Sequence, residues 1–236
     1  MVPQFWRLIT MDNNSFGFVR LDGFMADDMS VVNSARVSFA RNSEIHGGMT
    51  GKDKGLIGFL MRERHGTPFE HNAFRFHIKC PMFVAREWFR HRIGSFNEFS
   101  ARYSEVPNEF WVPEKGAIRT QVGKPGAYTF ESIEGPAAEV AVNIIEEMNK
   151  VTYSAYQAML DMGVAKEVAR AVLPVSMYTQ FYWTVNARSL MNFLSLRLDE
   201  NAQAEIREYA KEVEKSFKQV MPITYSAWVD NGRVAP

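Results

Sequence analysis

Two stretches of this chain alternate in polarity with a period of two. Phe74, Phe76, Ile78 and Cys80 fall on one side, and Arg75, His77 and Lys79 on the other. Met177, Thr179, Phe181 and Trp183 alternate in the same way with Tyr178, Gln180, Tyr182 and Thr184. Successive side chains of a strand point to opposite faces, so each stretch reads as a half-buried strand. The apolar face of such a sheet needs a covering layer. Helical patterns over 29–39, 52–64, 82–92, 136–162, 164–172, 187–198 and 202–220 can supply it. The combination predicts an α+β fold with helix dominant.

Local signals mark the ends of these elements. Asp27 and Asp28 precede the first helix, where acids suit an N-terminus. Leu56, Phe59 and Leu60 share a face of the second. Thr67-Pro68-Phe69-Glu70 has the form of a capping box with Pro at the first helical position. Pro81 opens the helix over 82–92, whose apolar face is Phe83, Val84 and Trp88. Gly94 with scattered Ser and Asn predicts a loop over 93–105. Gly123, Pro125, Gly126 and Gly135 break up 106–135, which reads as loop with some strand. Ala141, Ile144, Met148, Val151, Ala155 and Met159 recur along the helix over 136–162, and Gly163 follows its end. Ile206, Tyr209, Val213 and Phe217 line one side of the helix over 202–220.

Length and charge bound the function. The 236 residues suit one domain, 1–236, since a domain takes roughly 100–200 residues with a tail above. Lys plus Arg and Asp plus Glu are both 27. A general polyanion binder would carry a basic excess, so no nucleic-acid role is expected, and any anion site must be a local arginine cluster. Cys80 is the single cysteine, which excludes an internal disulfide and favours a reducing, cytoplasmic setting. The first residues lack the pattern of a signal peptide, and no apolar run approaches the ~18 residues of a membrane helix.

The local cluster exists. Arg86, Arg90, Arg92 and Arg102 fall within 17 residues. Arg86 and Arg90 share a helix face. The planar guanidinium bonds two oxygens at once, which suits phosphate. Asn97, Glu98 and Ser100 add groups able to read a polar ring edge. On composition alone such a stretch is a solvated face, and the spacing of its residues has no helical period.

That spacing resembles a family signature. Arg90-His91-Arg92, Ser95, Asn97-Glu98, Ser100 and Arg102-Tyr103 match every specified position of the signature of flavin-dependent thymidylate synthases. Ala35-Arg36-Val37-Ser38-Phe39 and Thr67-Pro68-Phe69-Glu70-His71 resemble family segments upstream, as do Glu167-Val168-Ala169-Arg170 and 184–194 downstream. The resemblance spans about residues 30 to 200. It implies a single domain with a central, mostly antiparallel sheet, and a homotetramer with shared active sites. The implied reaction converts deoxyuridylate to thymidylate, with methylenetetrahydrofolate as one-carbon donor, FAD as cofactor and NADPH as reductant.

The resemblance also implies roles. Arg90, His91 and Arg92 contact FAD, together with Ser38, His65, Thr67, Glu98, Asn186, Arg188 and Asn192. Arg90, Glu98, Phe99, Ser100, Ala101, Arg102 and Arg170 line the nucleotide site, with Ser100, Arg102 and Arg170 near its phosphate. Arg197 faces the uracil as the catalytic cation, where a fixed donor stabilises developing negative charge. Glu87 belongs to the same set but departs from the pattern: relatives often carry Gln there, and an ionised carboxylate only accepts hydrogen bonds.

Other readings of these residues are structural. Asn186 and Asn192 can satisfy backbone groups instead of a ligand. Cys80 ends an alternating strand and reads as core, not as a nucleophile. Ser100 has no evident general base. The histidines His65, His71 and His77 are six apart, which fits no helix face or zinc pattern, so no metal is expected. A nucleic-acid module and an inactive homologue are the competing functions.

Overall fold

The structure, a computed structural model, describes residues 9–10, 17–39, 49–114, 116–124 and 127–236. The chain opens with strands β1 (Ile9–Thr10) and β2 (Phe18–Met25), followed by helices α1 (Asp28–Arg36) and α2 (Gly51–Arg62). Strand β3 (Ala73–Pro81), helix α3 (Met82–Trp88) and strand β4 (Ser95–Glu98) come next. Strands β5 (Arg119–Lys124) and β6 (Ala127–Ser132) precede the long helix α4 (Pro136–Asp161) and the short α5 (Lys166–Ala169). Strand β7 (Tyr178–Asn186) and helices α6 (Ala187–Arg197), α7 (Ala204–Val220) and α8 (Pro222–Asp230) complete it.

The five-stranded sheet runs β1-β2-β3-β7-β4, with antiparallel pairing throughout. The two strands predicted from alternation are its centre: Phe76 pairs with Trp183 and Ile78 with Phe181. Their inward side chains are fully buried beneath α3, α6 and α7. Trp88 of α3 lies in this core, with ring contacts to Phe181, Trp183, Phe193 and Tyr209. Burying each such side chain stabilises the fold by about 1.5–3 kcal/mol. A smaller core joins Ala101, Val106, Tyr156, Ala169 and Met177. It fastens α4 and α5 to the segment after β4.

Several expectations need correction. Thr67–His71 forms a short 3-10 helix in which no side chain caps the N-terminus, and Glu70 pairs with Arg188 instead. A capping box does occur at α2, where Thr50 and Asp53 exchange side-chain and backbone hydrogen bonds. Ile57, Leu60 and Met61 are the buried face of α2, and Phe59 is exposed. The helix predicted over 82–92 stops at Trp88. Part of the predicted loop 93–105 is strand β4, an edge strand whose few residues carry too little pattern to read. Within 106–135, β5 and β6 form a separate hairpin. Helix α4 has the predicted bounds to within a residue, and Gly163 follows it in the left-handed region at φ 80°. Its apolar stripe faces outward: Val140, Ile144, Met148 and Val151 are about half exposed.

Helix α8 extends beyond the last predicted helix, 202–220, and opens on Pro222 at its first position. Its N-terminus is capped by the buried Asp28, whose carboxylate accepts from the Ile223 and Thr224 amides at 3.0 and 2.8 Å and from the Thr224 hydroxyl at 2.6 Å. No described helix is long and apolar enough to cross a membrane.

Candidate active site

The arginine-rich segment is held by its apolar members. After Trp88 the chain tightens into a turn in which the Arg90 and His91 amides donate to the Glu87 and Trp88 carbonyls. The buried Trp88 anchors that turn, and Arg90 and Arg92 emerge exposed. The chain then joins the sheet edge, where Phe96 packs on Phe89, Phe181 and Trp183. Gly94 permits the approach: a Cβ there would lie 2.8 Å from Trp183 Nε1 and 3.0 Å from the Thr184 carbonyl. Ser95, Asn97 and Glu98 stay accessible on β4, and the Thr179 hydroxyl orients Glu98 by donating to its Oε1 at 2.7 Å.

Three neighbourhoods result. The first is a cleft of about 770 Å³ lined by Arg86, Glu87, Phe89, Arg90, Arg197 and Gln203. Within it Arg197 Nη1 donates to Glu87 Oε1, and Arg197 Nε donates to His91 Nε2 at 2.9 Å. Burial, with the Arg197 charge adding to it, pushes the His91 imidazole down to about 4. His91 is therefore neutral near pH 7, its Nε2 lone pair accepts the hydrogen bond from Arg197 Nε–H, and Nδ1 carries the ring hydrogen.

The second is a cleft of about 340 Å³ whose lining includes Glu70, His71, Asn72, Ile93 and Asn186. Asn186 caps α6: its Oδ1 accepts from the Ser189 amide at 2.8 Å, which leaves its amide N–H bonds free to donate. Arg188 sits beside it, with Nη1 on Glu70 at 2.6 Å and Nε on the Pro236 carbonyl at 2.7 Å. Asn72 is buried, and its Nδ2 has no hydrogen-bond partner among the described residues.

The third joins the turn after β4 to α5. Phe99 returns its amide to the Gln180 carbonyl at 2.8 Å, and Ser100 accepts from the Tyr103 and Ser104 amides. Ala101 is buried with Ala169, which places Arg102 and Arg170 on neighbouring segments. Lys166 at the start of α5 contacts the Tyr103 carbonyl at 3.5 Å. Arg102 lies over the Tyr103 ring, and among the described residues nothing bonds the Arg170 side chain.

The expected residues are thus brought together in part. Glu87, Arg90, His91 and Arg197 meet; Asn186 and Arg188 meet; Ser100, Ala101, Arg102 and Arg170 form a separate patch. Ser38, Thr67 and Asn192 are exposed and line neither cleft. His65 is exposed too, edge-on to Phe59 at 5.7 Å. Glu70, Asn72 and Gln203 line clefts without having been anticipated. Glu70 could have been found from its place in the Thr-Pro-Phe-Glu-His segment. Gln203 had no signal, since it reaches the cleft only through the packing of α7. Cys80 is fully buried, and burial holds its thiol well above the usual range, so it is core and not a nucleophile. Among the described residues, no group of His, Cys, Asp and Glu could hold a metal ion; His46 lies outside them.

Comparison with known proteins gives this geometry a family. The model of the Thy1 family, thymidylate synthase complementing protein, matches residues 21–223. The flavin-dependent thymidylate synthase of Thermosipho africanus is 48% identical over 213 residues, covering 90% of this chain and 91% of that protein. That of Kosmotoga olearia is 46% identical over 216 residues, covering 91% and 90%. The UMP/dUMP methylase PolB from Streptomyces cacaoi, in a crystal structure bound with 5-Br dUMP, has a TM-score of 0.87 and 41% identity, covering 94% of this chain and 98% of that one. With nearly the whole chain aligned at close to half identity, and the same fold at that coverage, the chain belongs to the flavin-dependent thymidylate synthase family.

Proposed function

We propose that this chain methylates deoxyuridylate (dUMP) to thymidylate (dTMP). The one-carbon donor is 5,10-methylenetetrahydrofolate, FAD is the cofactor, and NADPH reduces it. The observation that carries the reading is the first cleft, where the signature turn at Arg90-His91 meets Arg197 from a distant helix. FAD, once reduced, supplies the hydride of this reaction.

The chain's own groups fit these ligands. Arg102 and Arg170, with the Ser100 hydroxyl, suit a dianionic phosphate. Glu98, Phe99 and Ala101 line the same stretch and position the nucleotide. Arg197, oriented by His91, faces the uracil with a fixed positive charge, which stabilises negative charge developing on the ring. For FAD, Arg90 and Arg92 offer exposed guanidiniums to the diphosphate. Asn186 offers amide donors in the second cleft, beside Arg188. Ser38, His65, Thr67, His91, Glu98 and Asn192 complete the FAD set.

The chain acts as a homotetramer with shared sites, in the cytoplasm. Two features support assembly. The half-exposed stripe Val140, Ile144, Met148 and Val151 is suited to burial against another copy. Ser100, Arg102 and Arg170 do not line the Arg197 cleft of their own chain, as expected of sites completed by a neighbouring subunit.

The test is tritium release from dUMP labelled at ring carbon 5, with methylenetetrahydrofolate, NADPH and FAD supplied or withheld. Release that depends on folate and FAD is expected, and its loss in Arg197→Ala with FAD still bound. A parallel arm with UMP is warranted because PolB is a UMP/dUMP methylase. No release from the folded, FAD-loaded protein would overturn the reading.

A further inference from the structure

The first cleft holds three arginines and one acid, and the arginines are not equivalent. Among the described residues, no ion pair or side-chain hydrogen bond engages Arg86 or Arg90. Arg197 is engaged twice, by the Glu87 carboxylate and by His91 Nε2. Its side chain is 17% exposed and that of Glu87 24%, so the pair is partly shielded from water. Shielding makes such a pair stronger and more directional than one on an open surface. The pairing also fills Glu87's role differently from a Gln: a carboxylate accepts the guanidinium hydrogen bond and compensates its charge, whereas a neutral amide can accept the bond but leaves the charge uncompensated.

We propose that Glu87 is a positioning residue of Arg197: its carboxylate, together with His91, holds the guanidinium in place and keeps it from joining the free Arg86 and Arg90 on a phosphate group that enters the same cleft. The inference rests on the reading of Arg197 as the cation at the pyrimidine. A dianionic phosphate attracts every mobile guanidinium within reach. An arginine with its Nη1 committed to a carboxylate and its Nε to an imidazole cannot swing toward it without breaking both bonds. Glu87 thereby divides the labour within the cleft: free Arg86 and Arg90 for a phosphate group, tethered Arg197 for the ring.

The test uses the FAD-loaded protein with Glu87→Ala and Glu87→Gln, read by kcat and KM for dUMP and by binding of inorganic phosphate. In Glu87→Ala, kcat falls about a hundredfold, the usual cost of a misplaced catalytic group. KM for dUMP does not rise, and phosphate binds up to about fivefold tighter as Arg197 is released. Glu87→Gln, which keeps an acceptor but no charge, falls between wild type and Glu87→Ala in all three. A merely structural role would lower the thermal midpoint and weaken phosphate binding together, and that result overturns the proposal. So does a kcat within twofold of wild type in both variants. If wild type itself shows no turnover, the reaction reading fails, and phosphate affinity still decides the tether: tighter binding in Glu87→Ala supports it, unchanged or weaker binding overturns it.

Discussion

Helices α4 and α7 carry nearly the same sequence pattern and use it in opposite ways. Along α7, Ile206, Tyr209, Val213 and Phe217 repeat every three or four residues and are all buried against the sheet. Along α4, Val140, Ile144, Met148 and Val151 repeat at the same spacing and stand about half exposed, while Asn149 and Tyr156 are the buried residues. Periodicity tells which side chains share a face. It does not tell what that face meets. Helix α7 meets its own chain; the outward stripe of α4 marks where another surface can be accommodated.

The contrast is sharpest at Phe217, which packs edge-on against Phe74 and Trp228. Phe217→Ala should cost about 3–5 kcal/mol of stability in denaturant unfolding, the range for emptying a packed aromatic site. A loss under about 1 kcal/mol would mean that α7 is not the core helix it looks to be. On α4, Ile144→Asp should leave the helical content intact and shift the sedimenting species to lower mass. Each buried contact it removes is worth about 1.5–3 kcal/mol. An unchanged mass would show that the stripe is not covered by another copy.

A smaller effect separates polar groups in the same manner. His91 is half-buried against Phe193, and its folded-state value near 4 lies below the unfolded value near 6.5. Between those values the unfolded chain binds the extra proton, so this contribution is complete above about pH 6.5 and is lost as pH falls toward 4. Thermal midpoints across that window should decline in wild type and flatten in His91→Gln. Equal slopes in the two would remove His91 as the cause. The smallest effect concerns Arg64, which adopts φ 57° at the end of α2, beside His65. Arg64→Gly should raise stability by about 1 kcal/mol or less, because glycine takes the left-handed region without its steric cost. A destabilised variant would indicate that the Arg64 side chain contributes more than its backbone costs.

How much was legible follows from the range of each signal. Strands β3 and β7 were readable because they lie at the centre of the sheet, where alternation is enforced by a core on one side. The bounds of α4 were readable from Pro136 and Gly163, whose conformational preferences are local. Strand β4 resembles a loop in sequence because an edge strand of four residues is defined by its neighbour β7, not by its own pattern. The segment at Thr67 carries a capping signal that the fold does not use: no side chain caps the 3-10 helix, and Glu70 pairs with Arg188, 118 residues away.

The sequence by itself determined the class of fold, the strands at its centre, and the family, through a signature whose residues keep their order along the chain. Tertiary structure decided the rest. It supplied the cap of α8 from Asp28, joined Arg197 to Glu87 and His91, set the outward stripe of α4, and left Arg102 and Arg170 outside the lining of the first cleft. The physical reason is common to all four. Periodicity and capping act over a few residues, whereas charge pairs, buried hydrogen bonds and packed faces depend on distances that only the folded chain creates.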